Sequence, residues 1–442
     1  MQSSLRLQNM TAFSIDVRTN TAAVDNAHSI AIRAGNIVFS KLLRPGLEHA
    51  DEFLSAPPAA LAFWLVDNWW RLRYECIPPK GPTDEWLLAH DMAAVGGGYV
   101  WPNLSIWGEG DRVAFASRSD PPGVVGPVRY ITDALLYLSG AKYEAGAEKF
   151  IAFILQSKPA FASDREALKA QWAALSLERQ DPEVCAWRRL EAELGFDSDS
   201  APEELMLALA SLAERYGKEG IEEAAQAAPG LNAEKVLRNE ITAAQQSGWE
   251  CDFTAAVSAA KDFNRDVSQP PWKAAEDSAQ RVRMEMGVSI GQVSDNLLSE
   301  LAGISEKALR PPIQQQSGLI YGLRLRNAQG SRNRVAFRNR AHTGRRFELC
   351  RAVGDAIWSK GDSLGPLARS KTARQKFQRA FAQSLLCPFD ELMGMIDTSD
   401  PTDEDINTAA QYFGVAEMVV RTTLVNKNIL ERQGIEEFVE AA

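Results

Sequence analysis

The sequence has few histidines, and its cysteines are spread too widely to form a recognisable metal site or disulfide framework. Four histidines are scattered along 442 residues, which argues against a histidine-rich metal centre. The five cysteines are odd in number and include no CxxC pair, a pattern typical of packed, reduced thiols. We therefore expect a cytoplasmic protein.

The sequence also has no long apolar run. None reaches the roughly 18 residues that a membrane-spanning helix needs, and no charged segment followed by an apolar one opens the sequence. With 45% apolar and 24% charged residues, the composition is that of a globular chain. Its length suits roughly two to four domains. We expect no membrane contact.

Acidic residues are scarce in one region of an otherwise acidic chain. Residues 321–380 contain 15 Lys and Arg against three acids, a local charge of +12 within a net charge of −10. Residues 324–346 include eight arginines and no acid, a stretch that can hold a phosphate backbone or an acidic partner electrostatically. These are Arg324, Arg326, Arg332, Arg334, Arg338, Arg340, Arg345 and Arg346. Alternatively, the stretch docks on acidic surface elsewhere in this chain or forms a solvated face.

Residues 1–160 have the pattern of a tryptophan-rich α+β domain. Alternating residues around the Gly35-Asn36 pair and around 108–111 predict two β-hairpins, and residues 57–74 predict a helix. Six of the eleven tryptophans precede residue 108. They are Trp64, Trp69, Trp70, Trp86, Trp101 and Trp107. Such residues usually form core, but they could also line a pocket or a stacking platform.

Three further regions follow. Residues 163–265 are rich in Ala and Glu, and their three- and four-residue apolar steps predict a helical bundle. Residues 270–395 predict helices at both ends and a β-hairpin around residues 328–330. Residues 400–442 predict two helices separated by a turn at 414–416, which is helix-turn-helix spacing. We predict four domains with these boundaries.

Two helices of the third region carry a framework of motif residues. RRFELCRAVGD at 345–355 and FQRAFAQSLLCP at 377–388 resemble the paired motifs of the ImmA/IrrE family of bacterial metallopeptidases. That family usually reads RFTLAHELGH on one helix and a phrase like ANRFAAELLMP on the next. The matching residues are Arg346, Phe347, Leu349, Gly354, Phe381, Ala382, Leu385, Leu386 and Pro388. The resemblance covers 270–430 and implies a zincin-like fold for 270–395.

The positions that carry the chemistry of that family are replaced. The resemblance implies two histidine ligands one turn apart and a glutamate base between them. Here Arg351 and Asp355 occupy the histidine places, and Ala352 occupies the glutamate place. The third ligand falls near Phe377 or Gln378. Because an arginine stays protonated and repels a metal ion, we expect no metal, no cofactor and no catalytic residue.

One hypothesis accounts for the replacement. Arg351 and Asp355, one turn apart, form an ion pair that fills the former metal pocket, and Glu348 one turn earlier joins them. The pseudo-active site then comprises Glu348, Arg351, Ala352, Asp355, Phe377 and Gln378. The alternative is that Arg351 belongs to the basic face and Asp355 is its solvated neighbour.

The sequence thus predicts a multidomain, helix-dominated α+β protein, with small β-hairpins in the N-terminal domain and in the zincin-like domain. We expect a catalytically inactive ImmA/IrrE-like protein that acts by binding. Its expected role is a regulatory or sensor subunit in a bacterial stress-response or antiviral defence system. Its partner is another protein of that system, or nucleic acid bound through the arginine-rich hairpin.

Two other functions stay open. A DNA-binding transcriptional regulator would use residues 403–426 as a helix-turn-helix that contacts base edges. Against this, Arg421 is the one long cationic side chain of the second helix. A zinc metallopeptidase with unconventional ligands is the second alternative. Its available donors are His342, Glu348, Cys350 and Cys387.

Overall fold

The computed structural model describes residues 12–18, 27–45, 49–123, 126–157, 165–266, 269–310, 318–327, 332–359 and 362–430. The chain divides into two compact units, 1–206 and 207–442. The fold is α+β and dominated by helices, with small antiparallel sheets, as the sequence predicted. Within the described ranges, no helix combines the length and apolar character required to cross a membrane.

The first unit combines short strands with helices. Its strands are β1 (Phe13–Arg18), β2 (His28–Ala34), β3 (Ile37–Val38), β4 (Leu42–Leu43), β5 (Leu54–Ala56), β6 (Leu104–Glu109), β7 (Arg112–Ser117), β8 (Arg129–Tyr130) and β9 (Ala134–Ser139). Its helices are α1 (Pro58–Asp67), α2 (Trp69–Tyr74), α3 (Asp84–His90), α4 (Gly140–Gln156), α5 (Arg165–Gln180) and α6 (Pro182–Glu193), with a 3-10 helix at Met92–Val95.

Both hairpins predicted in this unit are confirmed. β2 pairs with β3 around Gly35, and β6 pairs with β7 around Gly110. Both glycines have positive φ, the left-handed conformation that tight hairpin turns require. The single helix predicted at 57–74 is instead two helices. Asn68 leaves the helical conformation and donates its side-chain amide to Trp64 O at 2.9 Å, so α1 and α2 are separate.

The six early tryptophans form part of the interior. All are at most 6% exposed, and Trp69 packs edge-on against Trp172 with ring centroids 5.6 Å apart. Because their ring faces are covered, they cannot serve as a stacking platform for an external ligand. The packing interpretation of these residues is the correct one.

The second unit contains a four-stranded antiparallel sheet and a set of packed helices. Its strands are β10 (Trp249–Cys251), β11 (Gly322–Arg326), β12 (Asn333–Ala336) and β13 (Leu364–Leu367), in the order β10-β12-β11-β13. The helices from the unit boundary onward are α7 (Glu203–Tyr216), α8 (Lys218–Ala227), α9 (Ala233–Ser247), α10 (Thr254–Ala259), α11 (Pro271–Glu285), α12 (Asp295–Ala302), α13 (His342–Ser359), α14 (Ala373–Leu386), α15 (Phe389–Met393), α16 (Asp403–Phe413) and α17 (Glu417–Asn426), with a 3-10 helix at Glu306–Ala308.

The sheet and two helices position the candidate site. β11 pairs with β12, which confirms the predicted hairpin, although its turn at 328–330 lies outside the described residues. α14 packs against both α11 and α13, and α13 also packs against β13. Apolar residues of α13 and α14 at helical spacing fill the shared core, among them Leu349, Val353, Phe381 and Leu385.

Residues 163–265 do not form a bundle of their own. α5 packs on α1 and α6 packs on α2 within the first unit, whereas α8 packs on β13 and α9 on β11 and β12 within the second. The apolar stripes that predicted a bundle therefore cover the two existing units. Helical periodicity shows which face of a helix is buried, but not which element covers it.

The C-terminal helices belong to the second unit. α16 begins with a capping box between Thr402 and Asp405, and Gly414 adopts a positive φ at its end. Ile406 and Leu424 lie in the same apolar core as α13 and α14. The predicted separate domain at 400–442 is therefore part of a larger unit over its described residues, and 431–442 lie outside them.

Candidate functional site

The six residues predicted as a pseudo-active site lie together on two packed helices. α13 carries Glu348, Arg351, Ala352 and Asp355, and α14 carries Phe377 and Gln378. All six are buried, with Arg351 the most exposed at 7%. The i, i+4 spacing of Arg351 and Asp355 directs both side chains toward α14 and the sheet.

Asp355 is a buried carboxylate held by two arginines and an amide. Arg324 Nε donates to it at 2.7 Å, Arg374 donates through two nitrogens at 2.7 and 3.1 Å, and Gln378 Nε2 donates at 2.7 Å. Burial alone would raise the pKa of Asp355, but the charges of Arg374 and Arg324 outweigh it and lower the pKa to about 2. Asp355 is therefore ionised at neutral pH and fully hydrogen-bonded.

Arg351 is held by neutral oxygens instead of a carboxylate. Its Nη2 donates to Ala368 O at 2.6 Å, to Gln375 Oε1 at 2.6 Å and to Gln378 Oε1 at 3.1 Å. Burial and the nearby charge of Arg379 together lower the pKa of Arg351 to about 9.

The expected direct ion pair between Arg351 and Asp355 is therefore wrong. Arg324 from β11 and Arg374 from α14 occupy the Asp355 carboxylate, and Gln378 stands between the two expected partners. The physical reason is that arginines from other elements approach the carboxylate closely, while Arg351 extends toward Ala368. The alternative of a solvated Asp355 is also wrong, because Asp355 is fully buried.

Glu348 binds a backbone N–H group and not Arg351 or Asp355. Its Oε2 accepts a hydrogen bond from the backbone N–H of Asn339 at 3.0 Å, which ties α13 to the segment after β12. Burial raises its pKa, and the hydrogen bond to Asn339 acts in the opposite direction. Glu348 is therefore adjacent to the Asp355 network without contributing a hydrogen bond to Asp355.

Five residues around Arg351 and Asp355 were missed by sequence reasoning. They are Glu223, Arg324, Asp362, Arg374 and Gln375, of which only Arg324 was singled out at all, as a partner-binding residue. Arg374 Nη1 donates to Asp362 Oδ2 at 3.0 Å, and Glu223 on α8 accepts from Thr372 Oγ1 at 2.6 Å. The sequence signal for such a network was the scarcity of acids in residues 321–380. That region has only three acids, Glu348, Asp355 and Asp362, and each accepts a hydrogen bond within the second unit.

Gly365 on β13 makes the close packing at Asp355 possible. A Cβ added to Gly365 would overlap Asp355 Oδ2 and lie 2.9 Å from Arg324 Nε. Residue 365 must therefore lack a side chain for the strand to approach the carboxylate.

The residues at the ligand places of the family do not fit a zinc ion. Arg351 brings a positive charge, and the Asp355 oxygens accept from N–H donors. Over the described ranges, no cluster of three or more His, Cys, Asp or Glu residues is placed to hold a metal ion. Burial raises the pKa of Cys350 and of Cys387 to about 12, so neither is a thiolate at neutral pH.

The other positions of the expected site are packing residues. Ala352 is fully buried, and Phe377 packs against Phe263 and Trp358 with ring centroids 4.8 and 5.2 Å apart. His342 lies away from this cluster, where its Nε2 is 2.8 Å from Asp295 Oδ2. It lines a cleft of about 480 Å³ with Gln292, Asn407, Gln411 and Glu417.

Three of the eight arginines predicted to bind a partner are interior residues. Arg324, Arg345 and Arg346 are at most 4% exposed. Arg345 donates to Ala308 O at 2.6 Å, and Arg346 pairs with Asp295 and donates to Gly414 O at 3.0 Å. Their guanidinium groups cap backbone carbonyls and carboxylates inside the second unit, so they are not available to an external phosphate.

The other five arginines lie at or near the surface. Arg334 is 3.1 Å from Glu250 and Arg332 is 3.9 Å from it, so part of the stretch docks on acidic surface of this chain. Arg326 and Arg338 are half-buried, and Arg340 is exposed. The basic surface is therefore smaller than the sequence predicted.

Comparison of the chain with protein-family models, with curated proteins and with solved structures found no match. The resemblance to the ImmA/IrrE family therefore rests on the motif residues of α13 and α14. What the chain can do must be argued from the geometry of its own side chains.

Proposed function

We propose that this chain is a catalytically inactive ImmA/IrrE-like protein that acts by binding. Its proposed role is a cytoplasmic regulatory or sensor subunit of a bacterial stress-response or antiviral defence system. One observation carries the proposal: the carboxylate at a ligand place of the family, Asp355, is bound by Arg324 and Arg374.

This arrangement is unsuited to the family's reaction. The place of the family's general base is held by Ala352, which has no group that accepts a proton, and the pKa of Asp355 at a ligand place is about 2, far from the working pH of a base. A zinc ligand needs a lone pair directed at the metal, whereas the oxygens of Asp355 accept N–H groups from three side chains. A charge network of this kind stabilises the contact between α13, α14 and β11.

The binding surface of the proposal is the set of arginines that remain near the surface. Arg326 is the last residue of β11, Arg338 and Arg340 follow the end of β12, and the charge of all three suits nucleic acid or an acidic protein of the same system. The transcriptional-regulator alternative is weaker. Val420 and Leu424 of α17 are buried in the core, and Arg421 pairs with Asp403 at 2.8 Å.

The first test separates binding from metal-dependent catalysis. The full chain, purified without chelators, is analysed for bound zinc and for its thermal unfolding midpoint with added zinc or EDTA. We expect no stoichiometric zinc and no shift of the midpoint, because the site contains no suitable ligands. Stoichiometric zinc, together with proteolysis that EDTA abolishes, would establish the metallopeptidase instead.

A matched control shows that the assay can detect a metal site. The variant Arg351→His/Ala352→Glu/Asp355→His recreates the family's ligand pattern in the same helix. If this variant folds, it should bind more zinc than the wild-type chain. If it does not fold, a known zinc protein of similar size provides the positive control.

A further inference from the structure

The sheet of the second unit brings two arginines close together where β12 and β13 end, and this end of the sheet is here called its edge. β12 and β13 both run antiparallel to β11, and both end beside its first residues, Gly322 and Leu323. Arg338 follows two residues after the end of β12, and Arg369 follows two residues after the end of β13. Both residues therefore lie at the same edge, close enough for the charge of Arg338 to act on Arg369.

Helix α14 adds a third arginine to this edge. Arg379 Nη1 lies 3.1 Å from Ser370 O and 3.4 Å from Ala368 O, the carbonyls on either side of Arg369. Arg351 Nη2 donates to the same Ala368 O at 2.6 Å. The guanidinium groups of Arg351 and Arg379 thus converge on one carbonyl.

The positive charges of this cluster act on one another. Burial lowers the pKa of Arg369, and the charge of Arg338 lowers it further. Arg351 is affected in the same way by burial and by Arg379. Like charges held in partly buried positions raise the free energy of the folded state, and a bound anion lowers it.

One arginine at this edge is left without an acceptor among the described residues. Arg369 makes no hydrogen bond or ion pair with any residue of the described ranges, and Arg351 Nε is a buried donor without a partner there. The carboxyl group of Glu348 interacts electrostatically with both Arg338 and Arg351. It is 2% exposed and already accepts from Asn339. Among the described residues, therefore, Arg369 is a partly exposed cation whose guanidinium has no acceptor of its own.

We propose that Arg338, Arg369 and Arg379 bind a phosphate group of a nucleic-acid backbone. This inference rests on the proposed function, since it assigns a ligand class to the binding surface. Guanidinium forks match the oxygens of a phosphate and form charge-assisted hydrogen bonds with them. Lys376, one turn before Arg379 on α14, and the exposed Arg340 extend the positive charge beyond one phosphate, which favours a polyanionic chain.

The test is equilibrium binding of the full chain to labelled single-stranded and duplex oligonucleotides over a salt series. Arg369→Gln is the main variant, because no described contact of the folded chain depends on Arg369. Arg338→Gln/Arg369→Gln is the stronger variant, with its unfolding midpoint checked against the wild type. Arg238→Gln on α9 is the matched control, an arginine of the same unit whose side chain is 54% exposed.

We expect Arg369→Gln to weaken oligonucleotide binding by about 3- to 10-fold and to reduce the slope of log affinity against log salt by about one. Arg238→Gln should leave both unchanged. Equal affinity of Arg369→Gln and wild type, or equal losses in Arg369→Gln and Arg238→Gln, would overturn the site.

Two further outcomes concern the ligand. Binding of AMP, of inorganic phosphate or of a phosphopeptide, but not of an oligonucleotide, would overturn the assignment to nucleic acid. Oligonucleotide binding that depends on Arg332 and Arg334 but not on Arg369 would place the contact elsewhere on the basic surface. Whichever of these outcomes is found, the zinc measurement tests separately whether the chain lacks a metal site.

Discussion

Arg351 and Asp355 lie one turn apart on α13, yet they are joined through the side-chain amide of Gln378. Gln378 donates its Nε2 to Asp355 at 2.7 Å and accepts at Oε1 from Arg351 at 3.1 Å. One amide therefore satisfies both charged groups, and it does so from the facing helix α14. The three residues therefore link α13 to α14 through one chain of hydrogen bonds.

Asp355→Asn should destabilise the second unit by about 3–5 kcal/mol at neutral pH, because Arg324 and Arg374 would then be buried without their carboxylate. The folded pKa of Asp355 is depressed, so its stabilisation is present above the ordinary value of 3.8 and is lost as the pH falls through about 2. Denaturant unfolding measures the change. The exposed Asp400→Asn is the control, and an equal loss there would contradict the network's role.

Arg351→Ala should lower the free energy of unfolding by about 2–4 kcal/mol. The substitution leaves a cavity and removes the donor of Ala368 O, Gln375 and Gln378. Arg332→Ala, at a side chain that is 73% exposed, should change stability by less than about 0.5 kcal/mol. Unchanged thermal stability in Arg351→Ala would show that Arg351 does not hold α13 and α14 together.

Gly365→Ala should destabilise the chain by about 1–3 kcal/mol or more, because the new methyl group would overlap Asp355 and push β13 away from α13. Gly318→Ala is the matched control, since a Cβ there meets no atom within 4 Å. Thermal unfolding of the two variants provides the comparison. Similar midpoints would indicate that the strand can shift without disturbing the carboxylate.

Glu240 makes stability depend on pH through its buried carboxyl on α9. Its Oε1 accepts from Ile320 N at 2.7 Å, and burial raises its pKa from 4.5 to about 7. A raised folded pKa favours the protonated folded state, so this contribution is fully present below about pH 4.5 and is lost as the pH rises through about 7.

Glu240→Gln should therefore stabilise the chain at pH 8 and leave it nearly unchanged at pH 5. We expect a gain of about 1–3 kcal/mol at pH 8, since each unit of pKa displacement corresponds to about 1.4 kcal/mol. Denaturant unfolding at both values of pH measures it. Glu404→Gln, at an exposed position, should show no such difference, and an equal gain at both pH values would contradict the assignment.

Much of the local structure could be predicted from the sequence. Alternation around Gly35 and Gly110 predicted two hairpins, and helical spacing predicted α13 and α14, because these patterns depend on neighbours along the chain. The break at Asn68 could not be predicted in the same way. The apolar pattern continues through it, and the hydrogen bond from its side chain to Trp64 O ends α1.

The candidate site was predicted only in part. Motif spacing placed Arg351, Asp355 and Gln378 on facing helices. The identity of the partners of Asp355 depends on β11 and on the start of α14, and Arg324 is 31 residues away in sequence. A run of arginines has the same appearance in sequence whether the side chains point outward or inward.

The sequence by itself determined most helical and strand segments and the absence of an HExxH motif, since both follow from residue type and short-range spacing. Only the tertiary structure decided which arginines pair with carboxylates and which remain near the surface. It placed Arg324, Arg345 and Arg346 inside and left Arg338, Arg369 and Arg379 together at one edge of the sheet. The reason is that an ion pair depends on distances of a few ångströms between elements far apart in the chain, which no local pattern encodes.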